Sequence, residues 1–273
     1  QAEASFQRSL EIYRKNFGTD HPHIADANYN LASIYKERGE YAKSAAVYKG
    51  VLEFYERNLG QEHPRIVSTL VNYALVLAAQ NKLDEAELFL QRALKIAEKS
   101  KGKEHVETAK PMAALAELYA DRGDYLRAES LMHSALHILE SALGPEHADL
   151  ASPLNNLASL YVRQGAFEQA VEIYKRSLSL TEKSLGKEHV DVAWSLSNLA
   201  ELYRRQNDFV KAEPLFMRAQ TIVEKAYGAH HPDLAVILNN RALNYSAKSE
   251  YPKAEPLFKR ALAIFEKSFD ANH

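Results

Sequence analysis

Six glycines stand at one fixed interval: Gly18, Gly60, Gly102, Gly144, Gly186 and Gly228 are each 42 residues apart. Three residues after each comes a histidine: His21, His63, His105, His147, His189 and His231, with His273 extending the series. Two residue types held in phase along the whole sequence identify an internal repeat. A repeat of this length is one supersecondary unit, and it hides its apolar faces only by stacking on its neighbours.

The repeat 144–185 reads GPEHADLASPLNNLASLYVRQGAFEQAVEIYKRSLSLTEKSL. Leu150, Ala151, Leu154, Leu157, Ala158 and Tyr161 recur at steps of three and four, the spacing of one helical face, which predicts a first helix, A. Phe167, Ala170, Ile173, Tyr174, Ser177, Leu178 and Leu180 predict a second, B. Gly165 divides them, and Gly186 stops helix B as a glycine beyond a helix end does. Pro22, Pro64 and Pro232 follow their histidines, where a first helical turn needs no proline N–H. The third and fourth repeats instead carry Pro111 and Pro153 five residues further on, so their A helices are expected to start late or bend there. No strand-like alternation is sustained, so the fold class is all-α.

The repeats run 18–59, 60–101, 102–143, 144–185, 186–227 and 228–269, read as one continuous domain. Residues 1–17 match helix B alone: AEASFQRSLEI aligns with AEPLFKRALAI at 254–264. Two readings of these ends stay open, a piece of a longer array or a small array capped by a lone helix. Arg241 and Asn244 are polar where most other repeats carry leucine or isoleucine, as an approaching array end would be. Small residues recur in register on both helices. Ala32, Ala74, Ala116, Ala158, Ala200 and Ala242 stand on helix A; Ser44, Ala86, Ala128, Ala170, Ala212 and Ala254 stand on helix B. One-carbon side chains let helix axes approach to about 8 Å.

Composition excludes several functions. Lys+Arg is 34 against 36 Asp+Glu, a formal net charge of -2, so the basic excess of a nucleic-acid binder is missing. Cysteine is absent, which removes disulfides and cysteine-held metals. No apolar run reaches the roughly 18 residues of a membrane span, and the charged N-terminus is not a signal peptide. The expected compartment is the cytoplasm. The six repeating histidines stand on the order of 10 Å apart across packed helices and cannot converge on one metal. They are expected to bond within the turn before helix A. His133 and His137 read as a surface pair. No phosphate-cradling glycine loop and no activated nucleophile is present. Neither cofactor nor metal is expected, and the chain is read as no enzyme.

Ala158, Tyr161, Ala170, Tyr174 and Ser177 fit the skeleton of the tetratricopeptide repeat. The strings GPEHADLASPLNNLASLY, GAHHPDLAVILNNRALNY and YPKAEPLFKRALAIFEK resemble the longer variant of kinesin-light-chain-like proteins, over the whole chain. The heptads that would dock a motor heavy chain are missing. The resemblance implies a right-handed superhelical solenoid of stacked antiparallel helix pairs. In it the A helices line a concave groove that holds an extended peptide segment of a partner protein.

The face of helix A left over after core assignment carries the candidate site. Asparagine recurs at Asn30, Asn72, Asn156, Asn198 and Asn240, and only Ala114 departs. Mid-helix asparagine is a mediocre helix former. Either each amide bonds the neighbouring repeat's backbone, or the amides form a ladder that pairs with a peptide backbone through donors and an acceptor. The two readings are compatible. Asn155 and Asn239 stand beside the ladder. Trp194, the single tryptophan, occupies the register of Asp26, Ser68, Lys110, Ser152 and Val236, with Ser197, Asn198 and Glu201 as groove neighbours. It is read as an anchor for a partner. Arg163, Arg204 and Arg205 suggest that the peptide is acidic. Runs such as Glu98-Lys99 and Glu182-Lys183 are read as purely solubilising. The expected function is a peptide-binding interaction scaffold. The alternative is a structural or regulatory spacer that self-associates through its array ends or restrains a fused domain.

Overall fold

The computed structural model describes residues 21–268, and the description is confined to them. The lone B helix expected over residues 1–17 lies outside the described residues. Twelve α-helices make up the described chain: α1 (Pro22–Glu37), α2 (Tyr41–Leu59), α3 (Val67–Ala79), α4 (Leu83–Lys101), α5 (Val106–Asp121), α6 (Tyr125–Leu143), α7 (Ala151–Gln164), α8 (Phe167–Leu185), α9 (Val190–Arg205), α10 (Phe209–Tyr227), α11 (Pro232–Ala247) and α12 (Tyr251–Ser268). Short 3-10 turns, Pro64–Ile66 and Ala148–Leu150, precede α3 and α7. The chain divides into two compact bodies between Ala142 and Leu143.

Three backbone devices recur and set the hairpins. At the start of each odd-numbered helix or its 3-10 turn, a histidine is the cap. His21, His63, His105, His147, His189 and His231 each accept through Nδ1 the amide proton of the residue two further on, at 3.2–3.3 Å. This satisfies one of the donors that every helix start leaves over. Between the two helices of a hairpin the chain turns through a left-handed residue. Gly39, Gly123 and Gly165 supply it in three hairpins, while Asn81, Asn207 and Ser249 supply it at φ 60–62° in the others. The next amide then bonds the carbonyl five residues back, at 2.8–2.9 Å in all six hairpins. That pairing is the Schellman closure of a helix end. After helix B, glycines at φ +86° to +98° end α2, α4, α8 and α10.

In the N-terminal body α1 packs on α2, α2 on α3, α3 on α4 and α4 on α5. The C-terminal body repeats the arrangement from α7 through α12. Within the two bodies α3, α9 and α11 each lie between their own B helix and the B helix before it. The seams close on the small residues: all eleven in-register alanines and Ser44 are at most 2% exposed. Ser44 and Ser177 spend their buried hydroxyls on carbonyls of the adjacent A helix, Ala32 at 2.7 Å and Ala151 at 2.9 Å.

Proline behaves differently from expectation in the third repeat. The fourth does begin its α-helix late, at Ala151, after a 3-10 turn. In the third, α5 runs unbroken from Val106 with Pro111 inside it. Pro111, Pro214 and Pro256 are each the sixth residue of their helix. A proline there forfeits one bond, to the carbonyl of the second residue, and leaves every later turn intact.

Candidate functional site

In the C-terminal body the A helices sort their residues by the same 3.6-residue period that builds the core. On α7, Leu154, Leu157, Ala158, Leu160 and Tyr161 are buried, whereas Ser152, Asn156, Ser159 and Arg163 are exposed. On α9, Val192, Ala193, Leu196, Leu199 and Ala200 are buried, Asn198 and Arg205 are exposed, and Trp194 and Arg204 are half-buried. Ser197 corrects its expectation: it is buried and does not belong to the open face. Asn155, Asn239 and Asn240 are half-buried.

Between the starts of α7 and α9 and the end of α8 lies a pocket of ≈ 560 Å³. Trp194, Ser152 and Asn155 line it, together with Asp149, Asp191, Thr181, Ser184 and Ser195. The side-chain oxygen of Asn155 is buried here without a hydrogen-bond partner. A buried acceptor without a partner is costly to keep.

The basic residues at the far ends of these helices are less free than their sequence suggests. Arg204 grips the Glu201 carboxylate through two bonds of 2.7 Å, and Arg205 adds a third at 3.0 Å. Burial pushes the Glu201 carboxyl up, but both guanidinium bonds outweigh it and hold the group below the usual carboxylate range. Two cations sharing one carboxylate leave one net positive charge. Arg163 stands exposed in the last turn of α7, with interactions of its own.

In the N-terminal body Asn30 is exposed on α1, and Asn72 donates to the Tyr29 hydroxyl at 2.5 Å. Among the described residues no such bond is made by the side chains of Asn30, Asn156, Asn198 or Asn240. A bond from each amide to the neighbouring backbone is therefore not what holds these helices together. Asp26, in the register of Trp194, is engaged: Arg65 binds it at 2.8 and 3.0 Å, and the Tyr55 hydroxyl donates to it. Where Ala114 interrupts the ladder, a smaller pocket of ≈ 210 Å³ opens, lined by Leu75, Ala78, Ala79 and Ala114.

The tetratricopeptide repeat model matches overlapping windows from residues 1–57 through 191–267, nearly the whole chain. The chain belongs to the tetratricopeptide repeat family. No curated protein matches the sequence. Among solved structures, BtubC (BKLC) from P. vanneervenii shares 23% identity and a TM-score of 0.67, over 91% of this chain and 94% of that one. A Podosopora anserina kinesin-light-chain-type protein with nearly identical TPR-like repeats shares 24% identity and a TM-score of 0.66, over 77% of this chain and 100% of its own. The Rap protein complexed with competence and sporulation factor shares 13% identity and a TM-score of 0.62, over 97% of this chain and 85% of that one. The fold is thus the all-helical TPR solenoid shared with kinesin-light-chain-like proteins, a fold whose usual role is protein interaction.

Several features of this TPR chain escaped sequence reasoning. The charged runs on the B helices are not purely solubilising. Glu182 receives Arg218 at 2.5 Å, Lys183 pairs with Glu146, and Lys99 pairs with Glu62. Arg218 also donates to the Lys187 carbonyl at 2.9 Å, and Arg92 repeats the device 126 residues earlier with Glu56 and the Gln61 carbonyl. These contacts tie a B helix to the loop at the start of its own repeat and, through Glu56 and Glu182, to the B helix of the repeat before. Arg241 and Asn244 look like an array-end signal in sequence, yet they belong to a network: Arg241, Tyr245 and Asn244 all bond Glu213, at 2.7, 2.7 and 3.2 Å. The recurring spacing of Glu87 and Tyr119, and of Glu213 and Tyr245, was the available signal, since each pair shares a bond 32 residues apart. His133 and His137 are exposed, and no group of three or more metal-ligating side chains converges among the described residues. None of the described helices is long and apolar enough to cross a membrane.

Proposed function

We propose that the chain is a non-enzymatic interaction scaffold whose A-helix face receives an extended segment of a partner protein. The observation that carries this is the C-terminal face. The Trp194 pocket lies between α7 and α9, and Asn156 and Asn198 stand exposed on the same two helices with their amides unspent. An extended peptide has backbone donors and acceptors at regular intervals, and a primary amide answers both. A large aromatic in a pocket supplies an anchor at low entropic cost. The Rap structure, solved with a bound factor, supports a partner-binding role for the fold. The groove residues in this reading are Asn30 and Asn72 in the N-terminal body. In the C-terminal body they are Asn155, Asn156, Arg163, Trp194, Asn198, Arg204, Arg205, Asn239 and Asn240.

The test is selection of random peptides displayed on phage against the chain, repeated with the Asn156→Ala, Asn198→Ala pair. Enriched peptides should bind the folded pair at least tenfold more weakly, and undiminished binding removes the groove from the account. A second reading, self-association, is favoured by one observation: α11 and α12 leave Leu243, Tyr251 and Leu262 exposed at 38%, 61% and 57%. Light scattering across a concentration series separates the two, because a peptide-binding scaffold keeps a constant mass.

A further inference from the structure

The pocket walled by Trp194 also shows which chemistry it accepts; this step rests on the reading that the A-helix face holds an extended segment. Three hydroxyls in its wall have already committed their protons to their own helices. Thr181 donates to the Ser177 carbonyl at 3.0 Å, Ser184 to Thr181 at 3.2 Å and Ser195 to Asp191 at 3.2 Å. Toward an occupant their oxygens can only accept.

Asp149 and Asp191 add two carboxylates, 73% and 63% exposed. Their nearest basic atoms are Nδ1 of His147 and His189, at 3.8 and 3.6 Å. Those same nitrogens accept the amide protons of the two aspartates. No lysine or arginine lines the pocket. Its side-chain donors are the Trp194 indole N–H, the Asn155 amide nitrogen and the exposed Ser152 hydroxyl. The wall is therefore rich in acceptors, negative at its rim and faced by an indole whose ring attracts cations.

We propose that this pocket takes a cationic side chain, lysine or arginine, from the bound segment. The ammonium or guanidinium group brings donors only, which is what the wall lacks. A volume of ≈ 560 Å³ admits the long side chain and part of its neighbours. The acidic stretch suggested by Arg163, Arg204 and Arg205 concerns the opposite ends of α7 and α9, so it does not compete for this position.

Peptides selected from the random library are the probe, and Trp194 is the reporter, because the sequence holds no other tryptophan. Selected peptides should share a lysine or arginine whose replacement by alanine abolishes the change in Trp194 emission. Asp149→Asn with Asp191→Asn should weaken those peptides about tenfold and flatten their salt dependence, at unchanged melting temperature. Asp149→Lys with Asp191→Lys should lose them altogether. A selected set whose Trp194 signal depends on an acidic or apolar residue overturns the cationic pocket and leaves the groove standing. A set that binds without changing Trp194 emission does the same. A library that yields no binder overturns both.

Discussion

At the residue scale the repeat is maintained by backbone demands, and the side chains answer them with unequal success. The turn between paired helices needs a left-handed residue in every hairpin, and Ser249 meets that need at φ 62° with a side chain that pays for it in strain. Ser249→Gly should stabilise the chain by about 0.5–1 kcal/mol after the entropy that glycine adds to the unfolded state; a rise in thermal midpoint checks it. Gly165→Ala should act oppositely, although open space surrounds its Cβ position, because the penalty lies in φ +77°. The histidine caps invite a parallel test: His189→Ala should lose about 1 kcal/mol, and His189→Asp should restore most of it. Both devices were visible in the sequence where glycine and histidine mark them. Asn81, Asn207 and Ser249 were not, because polar residues in a turn carry no mark of a positive φ.

Two tyrosines extend the residue argument to pH. Burial pushes the Tyr48 hydroxyl up to about 12, and burial reinforced by Asp26 does the same for Tyr55. The folded chain holds these protons more tightly than the unfolded chain, whose tyrosines titrate near 10. Their contribution is complete below pH 10 and is lost as pH rises through about 12. The urea midpoint should therefore be level up to pH 10 and fall steeply above it.

At the scale of elements, helix existence and pairing were legible from apolar spacing, because each hairpin obeys one period and ends on one glycine. What spacing could not show was contact between elements. Ala158 is fully buried where α7 meets its neighbours, so Ala158→Phe should wedge the seam and cost about 1–3 kcal/mol. An unchanged melt would contradict the register. The Glu213 network belongs to the same scale, joining α10 to α11. Arg241 and Glu213 are only 17% and 20% exposed, so Glu213→Ala strands a largely buried cation and should cost about 3 kcal/mol. Val171, Leu199 and Leu202 occupy the same registers one repeat earlier. Installing them together, as Glu213→Val, Arg241→Leu and Asn244→Leu, should recover most of that loss. Sequence reasoning saw the polar residues and missed their partner, since Glu213 lies 28 residues away on another helix.

For the whole molecule, the 42-residue period and its helical stripes gave the fold class, because nothing but stacking hides the faces of such hairpins, and the residues inside the repeat carried the resemblance to the family. The site was only half legible. Trp194 and the asparagine register stood out by rarity and recurrence. The pocket beside Trp194 depends on the end of α8 and the starts of α7 and α9 together, and no single stripe encodes that meeting. The central claim is that a partner lies on the A helices and not on the B helices. Photo-crosslinkers placed singly at Asn198 on α9 and at Met217 on α10, both exposed, test it directly against a selected peptide. Crosslinking at 198 with none at 217 is the predicted result; the reverse pattern would contradict the account.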